Sequence, residues 1–165
     1  MMRRLSLLMV CRHNICRSPM AEGLMRHALK HSGLGWKVKV ASAGTHVGVP
    51  GQRTDERART VASEHGVKLK RGRSRAIKSR DFQRFDYIFA MDQENLADLL
   101  ETCPEAYRDK VRLLVDFSGL DDLLGIPDPY YGNLNGFENV FHLVQKAIEG
   151  ILEKEVLPKM GIVRP

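Results

Sequence analysis

Residues 5–10, Leu-Ser-Leu-Leu-Met-Val, form a short and almost continuously apolar run that ends at Cys11 and is followed closely by Pro19. A run without a polar face belongs in a strand buried on both sides, the position that a parallel sheet covered by helices provides. Pro19 suits the first turn of a helix, where its missing N–H has no partner to lose. Residues 11–18 are therefore a strand-to-helix loop. Successive N–H groups in such a loop can curl around one anion, and the helix N-terminus adds partial positive charge. Ser18 reads either as the N-cap or as a hydroxyl of the site itself.

Within this loop five residues separate Cys11 from Arg17, a spacing that lets a ring-shaped backbone aim sulfur and guanidinium at one centre. Arg17 presents a planar fork that matches two phosphate oxygens and stays charged at any working pH. The same positive surroundings favour the Cys11 thiolate, the form of cysteine that acts as a nucleophile. Cys-x5-Arg alone often arises by accident. Its position after a first strand and before Ser, Pro and an amphipathic helix gives it weight. The bland alternative is a buried structural Cys11 beside a solvated Arg17.

The rest of the chain alternates strand and helix signals. A helix runs from Pro19 to about Ser32, stopped by Gly33, and residues 36–42 read as a second strand with Lys37 and Lys39 alternating against Val38 and Val40. Residues 55–65, closed by Gly66, read as a helix, 86–91 as a third strand, 93–101 as a helix and 111–115 as a fourth strand. Residues 135–157 form a long terminal helix, with Phe137, Val140, Phe141, Val144, Ile148 and Ile151 at helical spacing. This alternation predicts an α/β fold with a parallel sheet covered by helices. An order of 2-1-3-4 puts the Cys11 loop at the switch point, where such sheets bind ligands at the carboxyl ends of their strands. The 165 residues are 43% hydrophobic and no linker or repeat divides them, so one domain spanning 1–165 is expected.

Residues 11–22 match every fixed position of the signature Cys-x-x-Asn-x-Cys-Arg-Ser-Pro-x-Ala-Glu, and in this the chain resembles the low-molecular-weight protein tyrosine phosphatases. The resemblance continues, in order, through Ser42-Ala43-Gly44-Thr45, residues 85–92 and residues 126–132. It implies a single-domain, flavodoxin-like three-layer sandwich with a four-stranded parallel sheet. It also implies hydrolysis of phosphotyrosine in proteins, and of small aryl phosphates, through a phosphocysteine intermediate. Cys11 is then the nucleophile, Arg17 the phosphate clamp and Asp128 the general acid and base. Asp128 stands between Pro127 and Pro129, which stiffen its loop; without the resemblance it would read as a turn residue. Arg12, His13, Asn14, Ile15, Cys16 and Ser18 surround the substrate, with the Ser18 hydroxyl on the sulfur. Asn14, tolerant of left-handed backbone, shapes the loop with Ser42 as its partner. Tyr130 and Tyr131 are placed to sandwich a flat phosphotyrosine ring, the alternative being surface packing. The implied partners are phosphotyrosine-containing proteins and inorganic phosphate or other oxyanions, with no cofactor and no metal.

Three positions refine the pattern. Arg12 stands where the family often has an apolar residue, which makes the pocket wall more polar. Gly72 replaces the His of a His-x-Ala-Arg run that braces the catalytic loop, while Arg75 matches its Arg. Ile15 stands where the arginine-phosphatase branch tends to carry Thr, which favours phosphotyrosine. Thioredoxin-coupled arsenate reductases share the fold and the first loop but need further cysteines near residues 75–90, where this sequence has none.

Cys11, Cys16 and Cys103 are an odd count, make no disulfide framework, and fit no zinc spacing. Cys16 reads equally as a packing residue or as a second sulfur that captures an oxidised Cys11 in a regulatory disulfide. The net charge of +6, from 26 basic and 20 acidic residues, attracts acidic partners. The densest basic run, residues 68–78, lacks interleaved aromatics and fits no nucleic-acid module. It reads as a solvated loop or as a surface that steers phosphorylated substrates. Met1-Met2-Arg3-Arg4 and the short apolar run after it, cut off by Arg12 and His13, fall short of a secretory signal, and no stretch nears the roughly 20 apolar residues of a membrane span. The expectation is a cytoplasmic protein, a monomer or weak dimer, that binds neither nucleic acid nor membrane.

Overall fold

The computed structural model describes residues 4–163; Met1, Met2 and Arg3 of the N-terminal reading lie outside the described residues. Strand β1 (Leu5–Cys11) is buried at every position, as its unbroken apolar run requires. Its one hydroxyl is satisfied inside the fold: Ser6 donates from its backbone N and its Oγ to Asp86 Oδ2, at 2.8 and 3.1 Å. There follow α1 (Arg17–His31), β2 (Val38–Gly44), α2 (Glu56–Glu64), α3 (Ser79–Arg84), β3 (Tyr87–Ala90), α4 (Gln93–Thr102), β4 (Val111–Leu113), α5 (Leu134–Ile151) and α6 (Leu157–Lys159).

The four strands form one parallel sheet in the expected order β2-β1-β3-β4. The chain steps from β1 to β2 on one side and returns across β1 to β3 on the other. Right-handed crossovers run in opposite directions place their helices on opposite faces. α1 packs on β1 and β2 and against α5, whereas α4 packs on β3 and β4. The apolar stripe of α5 faces inward, with Phe137, Val140, Phe141, Val144, Ile148 and Ile151 all buried. Each such side chain contributes roughly 1.5–3 kcal/mol when fully withdrawn from water. One core cluster connects this stripe to Leu7, Met9, Ile88 and Phe89 of the sheet.

Boundaries differ from the sequence pattern where tertiary context decides. β2 begins at Val38, and Trp36 lies 72% exposed outside it. β4 stops at Leu113; Leu114–Phe117 winds into a 3-10 turn that still buries Leu114, Val115 and Phe117, so apolar character alone did not distinguish turn from strand. The short helix α3 and a 3-10 turn at Glu105–Lys110 have polar sequences with no apolar period to announce them. α5 ends at Ile151, and a wider turn at Leu152–Val156 carries the chain into α6.

Candidate active site

The loop between β1 and α1 is shaped first by Asn14, whose φ of 60° makes it the one non-glycine residue in the left-handed region among the described residues. Its buried side chain is fully used. Nδ2 donates to Ser18 Oγ (2.8 Å) and Ser42 Oγ (3.0 Å), and Oδ1 accepts from the Arg75 backbone N (3.0 Å). The loop carbonyls are also held from outside. Thr45 N donates to Cys11 O, His46 N to Arg12 O and Asp55 N to Ile15 O, at 2.8–2.9 Å. In a planar trans peptide the N–H points opposite to the carbonyl, so the amides of Arg12, His13 and Cys16 face away from these anchors. Gly44, paired with Cys11 in the sheet, permits the close passage: a Cβ there would meet Arg12 O at 2.7 Å and Val47 Cγ2 at 2.6 Å.

α1 starts at Arg17, with Cys16 rather than Ser18 at the N-cap position and no side chain capping it. This corrects the N-cap reading of Ser18. Its hydroxyl instead sits 3.0 Å from Cys11 Sγ, and because Ser18 Oγ accepts from Asn14, its own proton is available to the sulfur. Cys11 is the last residue of β1 and is buried.

Arg17 is 3% exposed. Nη1 donates to Asp92 Oδ2 (2.6 Å) and to Ile126 O (2.9 Å), while Nη2 lies 3.7 Å from Asp128 Oδ2. Burial pulls its pKa down, but the charges of Cys11, Asp92 and Asp128 and the hydrogen bond to Asp92 raise it further than burial lowers it. Asp92, the N-cap of α4 through its bond from Asn95 N (2.8 Å), was absent from the sequence-based site. The signal was available: an acidic residue directly after the third strand, at the carboxyl edge where the site forms.

Asp128 is partly exposed and its Oδ1 accepts from Tyr130 N (3.0 Å), a local turn that steadies the carboxyl. The segment is tied to α2 by Arg57, which donates to Tyr130 O (2.9 Å) and Gly132 O (3.1 Å), stacks on Phe137, and is gripped by Asp55 in a two-pronged pair. Neither Asp55 nor Arg57 stood out in the sequence, because their role appears only when α2 meets the distant loop.

Cys11, His13, Ile15, Cys16, Arg17, Asp128 and Tyr130 line one small pocket. His13 Nδ1 donates to His46 O (2.9 Å). Arg12 is drawn away to Glu94 of α4, at 2.7 Å. Ile15 is partly buried against the core. Tyr130 borders the pocket, whereas Tyr131 is 95% exposed and its ring stands at 89° to that of Tyr130, so the two do not form parallel walls in this conformation. Cys16 is buried, and burial, followed by Asp55 and Cys11, pushes its thiol far above the ordinary range. All three cysteines are free. Gly72 takes φ 71°, and a Cβ there would lie 2.5 Å from Thr54 Oγ1; a histidine has no room on this backbone, and the Arg75 amide and Ser42 brace Asn14 without it.

A parallel sheet with a loop of this composition at its switch point defines an oxyanion-binding α/β protein. The profile of the Low molecular weight phosphotyrosine protein phosphatase family matches residues 6–160. The chain is 37% identical over 156 residues to low molecular weight phosphotyrosine protein phosphatase 2 of Drosophila melanogaster, covering 94% of each. It is 36% identical over 155 residues to the human low molecular weight phosphotyrosine protein phosphatase, covering 90% of this chain and 94% of that one. Among solved structures, a protein tyrosine phosphatase from Entamoeba histolytica superposes with TM-score 0.88 at 39% identity, over 95% of this chain and 98% of its own. YfkJ from Bacillus subtilis gives 0.87 at 33% identity, over 96% and 98%. The chain belongs to the low-molecular-weight phosphotyrosine protein phosphatase family, a family of hydrolases.

Proposed function

We propose that this protein hydrolyses phosphotyrosine in proteins, and small aryl phosphates, through a phosphocysteine intermediate, acting as a single phosphatase domain across residues 1–165. The observation that carries the reading is the convergence of Cys11, Arg17 and Asp128 on one pocket. The Cys11 thiolate attacks phosphorus in line while Arg17 Nη2 and the outward-anchored loop's amides hold the equatorial oxygens. The P–O bond to the phenol breaks, and Asp128 gives its proton to the departing oxygen. Asp128, now a carboxylate, takes a proton from water as that water attacks phosphorus; the S–P bond breaks, releasing phosphate and the thiolate. The Ser18 hydroxyl, aimed at Sγ by Asn14, stabilises the leaving sulfur.

His13 and Tyr130 supply the pocket wall, and Ile15 in place of a polar residue keeps it suited to an aryl ester. Cys16, kept protonated, is inert until a peroxide oxidises the Cys11 thiolate to a sulfenic acid, the peroxide being reduced to water or an alcohol; the Cys16 sulfur then captures the sulfenic acid as a disulfide with loss of water. The three free thiols support a cytoplasmic setting. Among the described residues no helix is long and apolar enough to cross a membrane.

The test is turnover of an aryl phosphate in the presence of a chelator. Cys11→Ser and Arg17→Ala are expected to abolish it and Asp128→Ala to lower it strongly; an undiminished rate in Cys11→Ser overturns the reading.

A further inference from the structure

At the far end of α2 three side chains from two helices meet around one point. His65 is the C-cap of α2, and Glu138 and His142 lie one turn apart on α5. Glu138 Oε1 accepts from His65 Nε2 and from His142 Nε2, the latter at 3.0 Å, and one donor atom from each residue lies within 4.8 Å of the others. The orientation is fixed by packing. The His65 ring stacks on buried Phe141 with centroids 4.5 Å apart and planes 14° from parallel, and it meets the His142 ring edge-on. None of the three residues serves the pocket around Cys11.

We propose that His65 Nε2, Glu138 Oε1 and His142 Nε2 form a binding site for a borderline divalent transition ion, Zn2+ foremost. Two imidazoles and one carboxylate are the donor set such ions take at three positions of a tetrahedron, with metal–ligand distances of about 2.0–2.2 Å. Those distances separate neighbouring donors by about 3.3 Å; Glu138 Oε1 already lies 3.0 Å from His142 Nε2, and all three donor atoms lie within 4.8 Å of one another. Imidazole pairs disfavour Mg2+ and Ca2+, which select oxygen. On binding, each imidazole presents its Nε2 lone pair and keeps its single proton on Nδ1, so the ion replaces the two N–H donors now shared by Glu138. The fourth position faces solvent and takes a water. The ion would fasten the end of α2 to α5, which already pack on one another, across a long sequence separation.

The test uses the full chain carrying Cys11→Ser, so that the reactive sulfur cannot take the metal, and it stands apart from the phosphatase reading. Titration with Zn2+ in a calorimeter is expected to show one ion per chain, and Zn2+ to raise the Tm. His142→Ala and, separately, Glu138→Gln are expected to weaken binding by at least about the tenfold that even an outer-shell change costs and to remove the Tm rise. Both should still fold and unfold cooperatively in chelator, since His142 is exposed and Glu138 half-exposed. Co2+ in place of Zn2+ should give the visible spectrum of a tetrahedral nitrogen–oxygen site. Absence of stoichiometric binding, or binding unchanged by both substitutions, overturns the proposal.

Discussion

Asn14 is the residue on which the loop's shape and the sulfur's environment meet. Its amide holds Ser18 and Ser42 with one end and the Arg75 backbone with the other, so the left-handed turn and the aim of the Ser18 hydroxyl have one cause. Removing the hydroxyl takes one donor from the leaving sulfur and one acceptor from Asn14. Ser18→Ala should therefore show a rapid burst of phenol release followed by turnover slowed on the order of a hundredfold, the usual cost of one preorganised donor, as read by stopped-flow with an aryl phosphate. Asp92 carries the opposite kind of weight. It neutralises a buried guanidinium at 2.6 Å, and a buried charge that loses its partner is costly. Asp92→Asn should lower stability by about 2 kcal/mol in urea denaturation and raise KM for phosphorylated substrates as Arg17 loses its fixed position.

Backbone geometry decides more than side-chain chemistry at the scale of elements. Gly72 and Gly33 both take positive φ, but a Cβ at Gly72 meets Thr54 Oγ1 at 2.5 Å while one at Gly33 meets nothing within 4 Å. Gly33→Ala should cost about 1 kcal/mol from conformation alone, and Gly72→Ala about 1–3 kcal/mol with a measurable loss of turnover, because its segment leads directly to the Arg75 amide that braces Asn14. Equal costs in urea denaturation would show that the Thr54 contact is relieved without strain. The strand runs and the α5 stripe were legible in sequence because each is a period of apolar residues: Leu7 through Val10 had nowhere to go but a covered sheet. Ser18 was legible as important but not as which of two things, since a serine before a proline has the same spelling as a cap and as a donor. Asp55 and Arg57 pair locally, two residues apart, but were not legible as site residues because the Tyr130 carbonyl that Arg57 holds lies far along the chain; the place of Asp92 after the third strand was legible, while its pairing with Arg17 needed the folded topology.

For the molecule as a whole, the joint between α2 and the Asp128 segment is a connection that responds to pH. Burial raises the pKa of Asp55, and the hydrogen bonds and charge of Arg57 lower it by more, so the folded value lies below the ordinary carboxylate range. A depressed folded value contributes stability above the unfolded pKa of about 3.9, and that stability is lost as pH falls through the folded value. Asp55→Asn should be less stable than the parent by about 1 kcal/mol at neutral pH, and the gap should close on acidification below about pH 4; a gap that persists unchanged in acid contradicts the ion-pair account. In the same way the two buried thiols of the catalytic loop differ in use. Iodoacetamide at neutral pH should label Cys11 and leave Cys16, pushed up by burial, unmodified.

The most direct measurement is mass spectrometry of the Asp128→Ala protein, acid-quenched during turnover of an aryl phosphate. The account predicts one added phosphoryl group on the peptide that contains Cys11, absent from Cys11→Ser prepared in parallel. A phosphoryl group on another residue, or continued phosphate release by Cys11→Ser without any adduct, contradicts it.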